Sequence, residues 1–576
     1  MNKETKLARS VAGAMLDSMW ARGIRHVFAN AGTDFAPIIE AMVEAGEQGR
    51  EIPKFHTIPH ENVAAAMAHG YYLVRGEPAC VMVHVTVGTA NALCGIMNAS
   101  RDNVPVLLLA GRTPNTETGH AGSRSAGIHW GQDSFDQGGM VREYVKWDYE
   151  LRSGQPVDKV FGRALDIAMS EPRGPVYLCM PREVLGDPES GAPGRPFARK
   201  PGSIPAEPSP EAIRAAAGLL AQAEFPLIIT AIAGRDAPNV DRLSKIAQDF
   251  GIAVAYPGEP GAREVSIPSD HPMFLGLNAS EALERADVVV TVDCEVPWWP
   301  RYANPRPGAK LIHIAADPMY SRYPMRGFEA DVAIAGSSSA ALRGLQSALG
   351  DAAPANRGRI EARRAEIAGM GAERRRKIAA AHEAAGKESR IQVPWVAACV
   401  NRVKGADTIV VNELGVPMDM LDLTKPKTYI SSSSAGGLGF GLGASLGAKL
   451  ATPDRRVMLI VGDGSYLFGN PVSAHFVARS EGLATLTVVL NNGRWHAVKR
   501  STLGMYPDGR AAAAKTMPLV ELGPSPDYDK VMAACGGYGE RVEKPGDLEA
   551  ALRRGFDAVD KGMPALLNVI TQPLDF

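Results

Sequence analysis

Short apolar runs bounded by helical stretches recur along this chain, and this pattern restricts its fold more than any other feature. In the first third the runs are HVFAN, ACVMVH, VPVLLLAG and GPVYLCMP, at residues 26–30, 79–84, 104–111 and 174–181. Apolar residues at nearly every position are typical of strands in a parallel sheet that helices cover on both faces. We therefore predict that residues 1–187 form an α/β domain with a doubly wound parallel sheet.

The same alternation recurs twice more, behind two connecting segments. Residues 188–210 are rich in proline, which predicts a linker rather than a packed element. Residues 211–350 carry the runs FPLIIT, IAVAYP, DVVVTVD and KLIHIA. Residues 351–389 are rich in Ala, Arg and Glu, a composition that favours a helical connector. Residues 390–576 hold TIVVN, VMLIVGD, ATLTVVLNN and ALLNVI, so we expect three doubly wound α/β domains in series.

The composition gives no support to several classes of function. Lys plus Arg number 62 and Asp plus Glu 63, so the charge balance offers no reason to expect a nucleic acid or an anionic membrane as partner. No stretch reaches the ~18 uninterrupted apolar residues of a membrane span, and the N-terminus lacks the apolar core of a signal peptide. The six cysteines are scattered without a CxxC pair, which favours reduced thiols. We expect a cytoplasmic protein.

Polar motifs end two of the apolar runs in the last block. VMLIV is followed by Gly462, Asp463, Gly464 and Ser465, and ATLTVVL is followed by a pair of asparagines that includes Asn492. Loops that leave the carboxyl ends of parallel strands form the ligand crevice of such sheets. Carboxylate, amide and carbonyl oxygens suit Mg²⁺, and glycine-rich turns present N–H groups to phosphate. Either motif alone could equally be a simple turn after a strand. The two motifs together, in this order, predict a diphosphate site with Mg²⁺.

The order and spacing of these motifs resemble the GDG…NN signature of thiamine-diphosphate enzymes. About two more residues separate the motifs here than is usual in that family, and we place the insertion between Phe468 and Val472. The resemblance implies that Asp463, Asn492 and the backbone carbonyl of Arg494 hold Mg²⁺. It also implies thiamine diphosphate as the cofactor, with the diphosphate held by the third domain.

Two further segments of the last block resemble parts of the same family. SSSSAGGLGFGLG is similar to a glycine-rich run of its decarboxylases, in which a large apolar residue holds the cofactor in a bent conformation. Leu438 stands at that position, behind Gly436 and Gly437. VNELGVPM resembles the loop that contacts the diphosphate, with Gly415 and Val416 where some relatives have hydroxyl residues. A tight seam between packed helices is the plainer interpretation of the glycines.

An acid of the first block completes the resemblance. FHTIPHENVAAAMAHG places Glu61 at a boundary between a strand and a helix, where the family has a glutamate that hydrogen-bonds the aminopyrimidine ring of the cofactor. We predict that Glu61 is this catalytic carboxylate, although taken alone an acid here could simply stabilise a helix N-terminus. In the family this acid and the metal site meet across a subunit interface. The resemblance therefore implies an obligatory homodimer and favours a homotetramer.

Two residues of the first block are candidates for handling substrate. FANAGTDF resembles a loop of benzoylformate decarboxylases, with Thr33 at the place of a serine, and MVHVTVGTANAL places His84 at the position of an active-site histidine. Acetolactate synthases usually have glutamine there. A histidine could transfer protons during the reaction. The plainer interpretations are a helix N-cap for Thr33 and a structural histidine for His84.

Two more segments are expected near the substrate. SAGIHWGQDSFDQGG corresponds to a family loop that lines the cofactor pocket, and it offers Gln132 together with His129 and Asp133. NNGRWHAVKR places Trp495 and His496 at the head of a helix that shapes the pocket in relatives. Plain packing explains this Trp–His pair equally well.

The resemblance is strongest to the acetolactate synthase and benzoylformate decarboxylase group. It implies a lyase or decarboxylase that acts on a 2-oxo acid, or on a related small carbonyl compound, through an enamine and with possible carboligase activity. The alternatives are an acetolactate synthase, a 2-hydroxyacyl-CoA lyase and a catalytically silent subunit. A nucleotide-binding dehydrogenase also stays open, although no clean GxGxxG fingerprint is present. Residues 211–350 carry no decisive nucleotide signature, so we expect no FAD.

Overall fold

The computed structural model describes residues 9–190, 201–258, 261–277 and 280–572. The predicted linker therefore lies partly outside the described residues. The chain divides into two compact units. The first is drawn from Met1–Ile204, Ser434–Pro453 and Gly469–Leu483, and the second from Pro205–Ser433, Asp454–Phe468 and Ala484–Phe576.

The first unit contains a sheet of six parallel strands in the order β2-β1-β3-β4-β6-β5. Its strands are β1 His26–Ala29, β2 Lys54–Thr57, β3 Ala79–Val83, β4 Val106–Arg112, β5 Asp148–Glu150 and β6 Val176–Pro181. The helices between them are α1 Val11–Ala21, α2 Ala36–Glu47, α3 Glu61–Arg75, α4 Val85–Arg101, α5 Ile128–Gly131, α6 Val157–Met169 and α7 Arg182–Gly186.

The second unit contains the middle sheet, again of six parallel strands, in the order β12-β11-β10-β7-β8-β9. Its strands are β7 Pro226–Thr230, β8 Ala253–Tyr256, β9 Phe274–Leu277, β10 Val288–Val292, β11 Lys310–Ala315 and β12 Val332–Ala335. The helices are α8 Pro210–Gln222, α9 Pro238–Phe250, α10 Ser280–Arg285 and α11 Ser338–Ala385. Residues 351–385 of the predicted helical connector are part of α11, which ends four residues before the predicted boundary at 389. The helix begins earlier than predicted, where the Ser337 side chain accepts a hydrogen bond from Ala340 N–H.

The last sheet also lies in the second unit and has the order β14-β13-β15-β16-β18-β17. Its strands are β13 Ile409–Glu413, β14 Tyr429–Ser431, β15 Val457–Gly462, β16 Leu486–Asn491, β17 Tyr538–Val542 and β18 Ala565–Ile570. The helices of this part of the chain are α12 Val393–Val403, α13 Phe440–Ala451, α14 Asp463–Phe468, α15 Pro471–Ser480, α16 His496–Met505, α17 Arg510–Ala513, α18 Tyr528–Ala534 and α19 Pro545–Asp560. Of these, α13 and α15 belong to the first unit.

The strand orders confirm three doubly wound parallel sheets in series. In each sheet the chain first builds outward on one side and then crosses back to build on the other. The reversals lie between β1 and β3, between β7 and β10, and between β13 and β15. In open α/β sheets ligands bind outside the carboxyl ends of the strands at such a reversal, which is called a topological switch point.

Close packing of small residues joins two helices of the first unit, α3 and α13. A Cβ on Gly443 would lie 2.6 Å from Ala66 Cβ, and a Cβ on Gly447 would lie 2.0 Å from the Met67 carbonyl oxygen. Gly443 and Gly447 therefore serve a packing seam, as the plainer interpretation expected, whereas Gly436 has open space around it. None of the helices among the described residues is long and apolar enough to cross a membrane.

Candidate active site

The switch point of the first sheet brings together a buried acid and a histidine. Asp34 follows β1, His84 follows β3, and their Oδ1 and Nδ1 atoms lie 2.5 Å apart. Two glycines make room for the pair. A Cβ on Gly32 would lie 2.1 Å from His84 Nδ1, and a Cβ on Gly111 would lie 1.6 Å from Asp34 Oδ2. A side chain at position 32 or 111 would therefore overlap the Asp34–His84 pair, and glycine at both positions leaves space for it.

The environment of His84 favours its protonated form. The hydrogen bond to Asp34 raises the pKa of His84 above its ordinary value, although partial burial acts in the opposite direction. The negative charge of Glu61 contributes in the same sense as Asp34. Thr33 is exposed at the start of a 3₁₀ turn next to Asp34, and the residue in the N-cap position is Gly32. The N-cap interpretation of Thr33 is therefore wrong.

Glu61 is the first residue of α3 and is buried, with 6% of its surface exposed. Asn91 Nδ2 on α4 donates a hydrogen bond of 3.1 Å to Glu61 Oε2. A Cβ on Gly88 would lie 3.3 Å from Glu61 Oε1, so α4 approaches the carboxylate closely. The preceding His60 caps α3 by accepting a hydrogen bond from Asn62 N–H. One side chain of α4 therefore orients the carboxylate that we predict to be catalytic.

The loop before β5 carries Gln132, which acts on His84, whereas its other polar side chains bind groups of the protein itself. Thr86 Oγ1 donates to the Gln132 carbonyl at 2.7 Å, and the Gln132 side chain helps to raise the pKa of His84. His129 is buried and its Nδ1 accepts a backbone N–H of its own loop. Asp133 forms ion pairs with arginines. Gln132 is thus the member of this predicted trio that contributes to the raised pKa of His84.

The glycine-rich run before α13 is held by α4. Asn98 Nδ2 donates to the Gly437 carbonyl at 2.8 Å, and Gly437 N–H donates to Asn98 Oδ1 at 3.1 Å. Gly436 and Gly439 have φ angles of +70° and +84°, in the left-handed region that favours glycine. Leu438 lies between them and is half-buried.

In the second unit, Asp463 joins the two motifs of the last sheet. It follows β15 and is 2% exposed. Its Oδ1 accepts from Gly464 N–H at 2.9 Å, and its Oδ2 accepts from Gly493 N–H at 2.7 Å. Asn492 follows β16, and its Oδ1 accepts from Arg494 N–H at 2.9 Å. The GDG and NN turns are therefore neighbours at the carboxyl edge of the sheet, as the motif spacing predicts.

The surroundings of Asp463 fit a bound cation. Burial raises the pKa of this carboxyl above its ordinary value, although backbone N–H groups oppose the shift. Within the described ranges it forms no ion pair with Lys, Arg or His, and each oxygen can accept a further bond. No group of three or more His, Cys, Asp or Glu side chains suited to a metal occurs in the described part of the chain. A Mg²⁺ site with one acid, an amide and a carbonyl requires no such group.

The neighbouring turn residues are partly engaged within the protein. Ser465 is buried, and Gly462 lies close enough to the Leu414 carbonyl that a Cβ would be 3.3 Å away. Val416 is also buried, and its N–H donates to Asn412 Oδ1 at 3.0 Å. A contact from the Val416 N–H to a diphosphate would have to replace that bond, whereas half-buried Gly415 is more accessible.

Trp495 covers the aspartate turn from one side. A Cβ on Gly464 would lie 2.3 Å from Trp495 Cζ3, and the Trp495 ring meets Phe468 edge to face with centroids 5.7 Å apart. Arg494 pairs with Glu521 at 3.0 Å and so fixes the backbone that carries the predicted carbonyl ligand. His496 is half-buried at the start of α16. Trp495 thus forms an aromatic wall beside the predicted metal site.

Three of the eight non-glycine residues with positive φ in the described part of the chain lie at sheet switch points. Val85, directly after His84, has a φ of +34°, and Leu414, directly after β13, has a φ of +53°. Asp293, which follows β10, has a φ of +45°. Non-glycine residues rarely adopt positive φ, and such strain is concentrated at functional sites. All three lie at the switch points of their sheets.

Comparison with known proteins agrees with this arrangement. Three family models match in order: the "Thiamine pyrophosphate enzyme, N-terminal TPP binding domain" at residues 9–140, the "central domain" at 213–345 and the "C-terminal TPP binding domain" at 415–569. The chain belongs to the thiamine pyrophosphate enzyme family. It is therefore a thiamine-diphosphate-dependent enzyme.

The relatives of this thiamine pyrophosphate enzyme differ in activity. It is 28% identical to the acetolactate synthase large subunit of Mycobacterium tuberculosis over 562 residues, which cover 96% of the chain and 94% of the relative. It is 25% identical to the benzoylformate decarboxylase of Pseudomonas aeruginosa over 588 residues, covering 98% and 100%. The solved 4-hydroxybenzoylformate decarboxylase of Rhodococcus jostii shares the fold with a TM-score of 0.76 at 22% identity, covering 98% and 99%.

Proposed function

We propose that this protein is a thiamine-diphosphate-dependent lyase or decarboxylase that acts on a 2-oxo acid or a related small carbonyl compound. The observation that carries the proposal is the Asp34–His84 pair at the switch point of the first sheet, 2.5 Å apart and within the electrostatic influence of Glu61. A protonated histidine beside a catalytic carboxylate suits a reaction that ends by adding a proton to carbon. By the same resemblance, acetolactate synthases usually have glutamine at this position.

The residues fit the cofactor that the family requires. Asp463, Asn492 and the Arg494 carbonyl would hold Mg²⁺, while Gly415, Gly462, Gly464 and Ser465 would lie against the diphosphate. Thiamine diphosphate supplies the electron sink that permits cleavage of a bond next to a carbonyl. The protein contributes orientation, electrostatics and the exclusion of water.

The proton-transfer roles fall to residues of the first unit. Glu61 would share a hydrogen bond with the aminopyrimidine ring, while Asn91 keeps the carboxylate oriented. His84 would donate its Nε2 proton toward the substrate, because Nδ1 is held by Asp34. Thr33 and Gln132 would bind polar groups of the substrate. Leu438, Trp495 and His496 would limit its position.

An acetolactate synthase-type carboligase is the second candidate. The 28% identity to the mycobacterial acetolactate synthase large subunit, across nearly the whole chain, favours it. The two reactions share their first half and differ in whether a proton or a second carbonyl compound ends the cycle. A 2-hydroxyacyl-CoA lyase stays a further alternative.

We propose that the middle domain binds no FAD. Its switch point is filled by side chains of the protein: Arg263 and Glu295 form a buried ion pair with a closest contact of 2.5 Å. Trp298 packs edge to face on Phe328 with ring centroids 5.1 Å apart, and Arg326 lies over the Phe328 ring at 5.2 Å. A dinucleotide placed there would have to displace these contacts.

A screen of products tests the proposed activity. The full chain, loaded with thiamine diphosphate and Mg²⁺, is incubated with pyruvate, aromatic 2-oxo acids, 1,2-diketones and 2-hydroxyacyl-CoAs. We expect an aldehyde and CO₂ from a 2-oxo acid, and a loss of at least about 100-fold in kcat for Glu61→Gln. Glu47→Gln, an exposed acid at the end of α2, is the matched control. Turnover in Glu61→Gln equal to that of the natural chain would refute the role of the acid, and acetolactate as the sole product would favour the second candidate.

A further inference from the structure

Two asparagines of α4 share one face of the helix. Asn91 and Asn98 are seven residues apart, close to two helical turns of 3.6 residues each. Asn91 donates to the carboxylate of Glu61, and Asn98 binds the glycine-rich run at Gly437. Both contacts lie within the first unit. The helix that supports the acid therefore also supports the segment that carries Leu438.

The contact between Asn98 and Gly437 is specific for these residue types. The side-chain amide bonds both the C=O and the N–H of one residue, at 2.8 and 3.1 Å, as a neighbouring strand would do. Asn98 is 2% exposed and Gly437 is half-buried, so the bonds are partly shielded from water. A Cβ on Gly437 would lie 2.7 Å from Asn98 Oδ1 and 2.8 Å from Cys94 Sγ. The contact thus needs glycine at position 437, where a side chain would overlap Asn98, and an amide at position 98, which can both donate and accept.

The backbone around Leu438 depends on such external support. Gly436 and Gly439 both have positive φ angles, and glycine has little intrinsic preference for one conformation. The regular hydrogen bonding of α13 begins only at Phe440. The orientation of Leu438 therefore has to be fixed by contacts from other parts of the fold, such as the Asn98 contact to Gly437.

We infer that Asn98 is a positioning residue that holds Gly437 and thereby fixes the direction in which Leu438 supports the bent cofactor. The inference rests on the proposed role of Leu438. Asn98 acts through the backbone, so its loss should affect the conformation of the cofactor more than the anchoring of its diphosphate. An aspartate at this position would keep an acceptor for the Gly437 N–H but would place a negative charge against the carbonyl oxygen.

Amide hydrogen exchange on the full chain without cofactor tests the holding contact. In Asn98→Ala and Asn98→Asp we expect exchange in residues 435–441 to be at least about tenfold faster, because a buried bond is lost. Residues 457–462 of β15 should be unchanged. Asn356→Ala is the matched control, since that amide donates to the Ala352 carbonyl on α11 at 2.9 Å. Unchanged exchange at 435–441 in both Asn98 variants would overturn the inference.

The second measurement uses the chain loaded with thiamine diphosphate and Mg²⁺. We expect the Kd of the cofactor in Asn98→Ala to stay within about threefold, while exchange of the thiazolium C2 proton slows at least about tenfold. Equal exchange rates in variant and natural chain would overturn the inference. Gly437→Ala breaks the contact from the other side and should give the same result if an Asn98 variant fails to fold. A natural chain that binds no cofactor would refute the proposed function instead, and the cofactor-free exchange would still decide the holding contact.

Discussion

At the scale of single residues, the Asp34–His84 pair should make both the stability of the fold and the activity depend on pH. Asp34 raises the pKa of His84, so the imidazolium persists to a higher pH in the folded chain than in the unfolded one. The pair therefore stabilises the fold below the ordinary histidine pKa of about 6.5, and this contribution is lost as the pH rises through the folded value. If the imidazolium donates the proton, activity declines over the same upper range.

The substitution Asp34→Asn should move that decline to lower pH. The amide keeps a similar shape and an acceptor oxygen, but it removes the negative charge that strengthens the hydrogen bond and favours the imidazolium. We expect the alkaline limb of the profile of kcat/KM against pH to shift downward, with kcat reduced by at least about tenfold at neutral pH. Asp17→Asn, which removes an acid paired with Arg9 and Arg50 in the same unit, is the control. An unmoved limb would show that Asp34 does not set the protonation of His84.

Some of the site is readable from the sequence and some is not. Asp463 and Asn492 stand in motifs directly after strongly apolar runs, so their meeting at one sheet edge follows from parallel strand geometry. Asp34, Asn91 and Asn98 carry no such signal. Their partners are 50, 30 and 339 residues away along the chain, and only the folded arrangement brings them together. The only sequence feature that points to a role for Asp34 is its position next to Thr33, a predicted site residue.

At the scale of elements, the sequence predicts the central strands and not the edges. Strands β5, β9, β12, β14 and β17, which end their sheets, were not predicted, and β2 was expected only as a strand before Glu61. The central strands β3 and β7 are buried throughout, and β4 is buried at every residue but Arg112, whereas β2, β5 and β12 are partly exposed or very short. A continuous apolar run marks a strand that is covered on both faces, and an edge strand does not need one.

The packing of α3 on α13 gives a prediction at this scale. Gly447→Ala places a Cβ 2.0 Å from a backbone carbonyl of α3, which cannot move without shifting the helix that begins at Glu61. We expect a loss of about 1–3 kcal/mol in the free energy of unfolding, measured by denaturant titration. Gly218→Ala on α8 has open space around its Cβ and should instead gain up to about 1 kcal/mol. Equal effects of the two substitutions would contradict the tight seam.

At the scale of the whole molecule, the chain repeats one architecture three times and places its candidate chemistry at two of the three switch points. The middle sheet has the same topology, and a buried ion pair of its own, Arg263 with Glu295, lies at its switch point. Composition and strand pattern predicted the repetition, and the structure confirms it. Which sheet bears the chemistry had to be argued from Glu61, His84 and Asp463.

The proposed homodimer can be tested by mixing inactive variants. We expect Glu61→Gln and Asp463→Ala each to be inactive, because one lacks the acid and the other the metal ligand. If a site uses the acid of one copy and the metal site of another, mixed dimers regain one intact site. Activity should then recover to about a quarter of that of the natural chain after random re-pairing. No recovery, with mixed dimers present by mass spectrometry, would show that each site is built by a single copy.

The proposed function requires Asp463 to anchor Mg²⁺ and a diphosphate. Calorimetric titration of the metal-free chain with thiamine diphosphate tests this anchoring directly. We expect saturable binding with Mg²⁺, at least about 100-fold weaker binding without it, and the same loss in Asp463→Ala. Asp529→Ala, an acid on α18 that pairs with Asn568, is the control and should bind normally. Binding that is indifferent to Mg²⁺ and to Asp463, or no binding at all, would contradict the account.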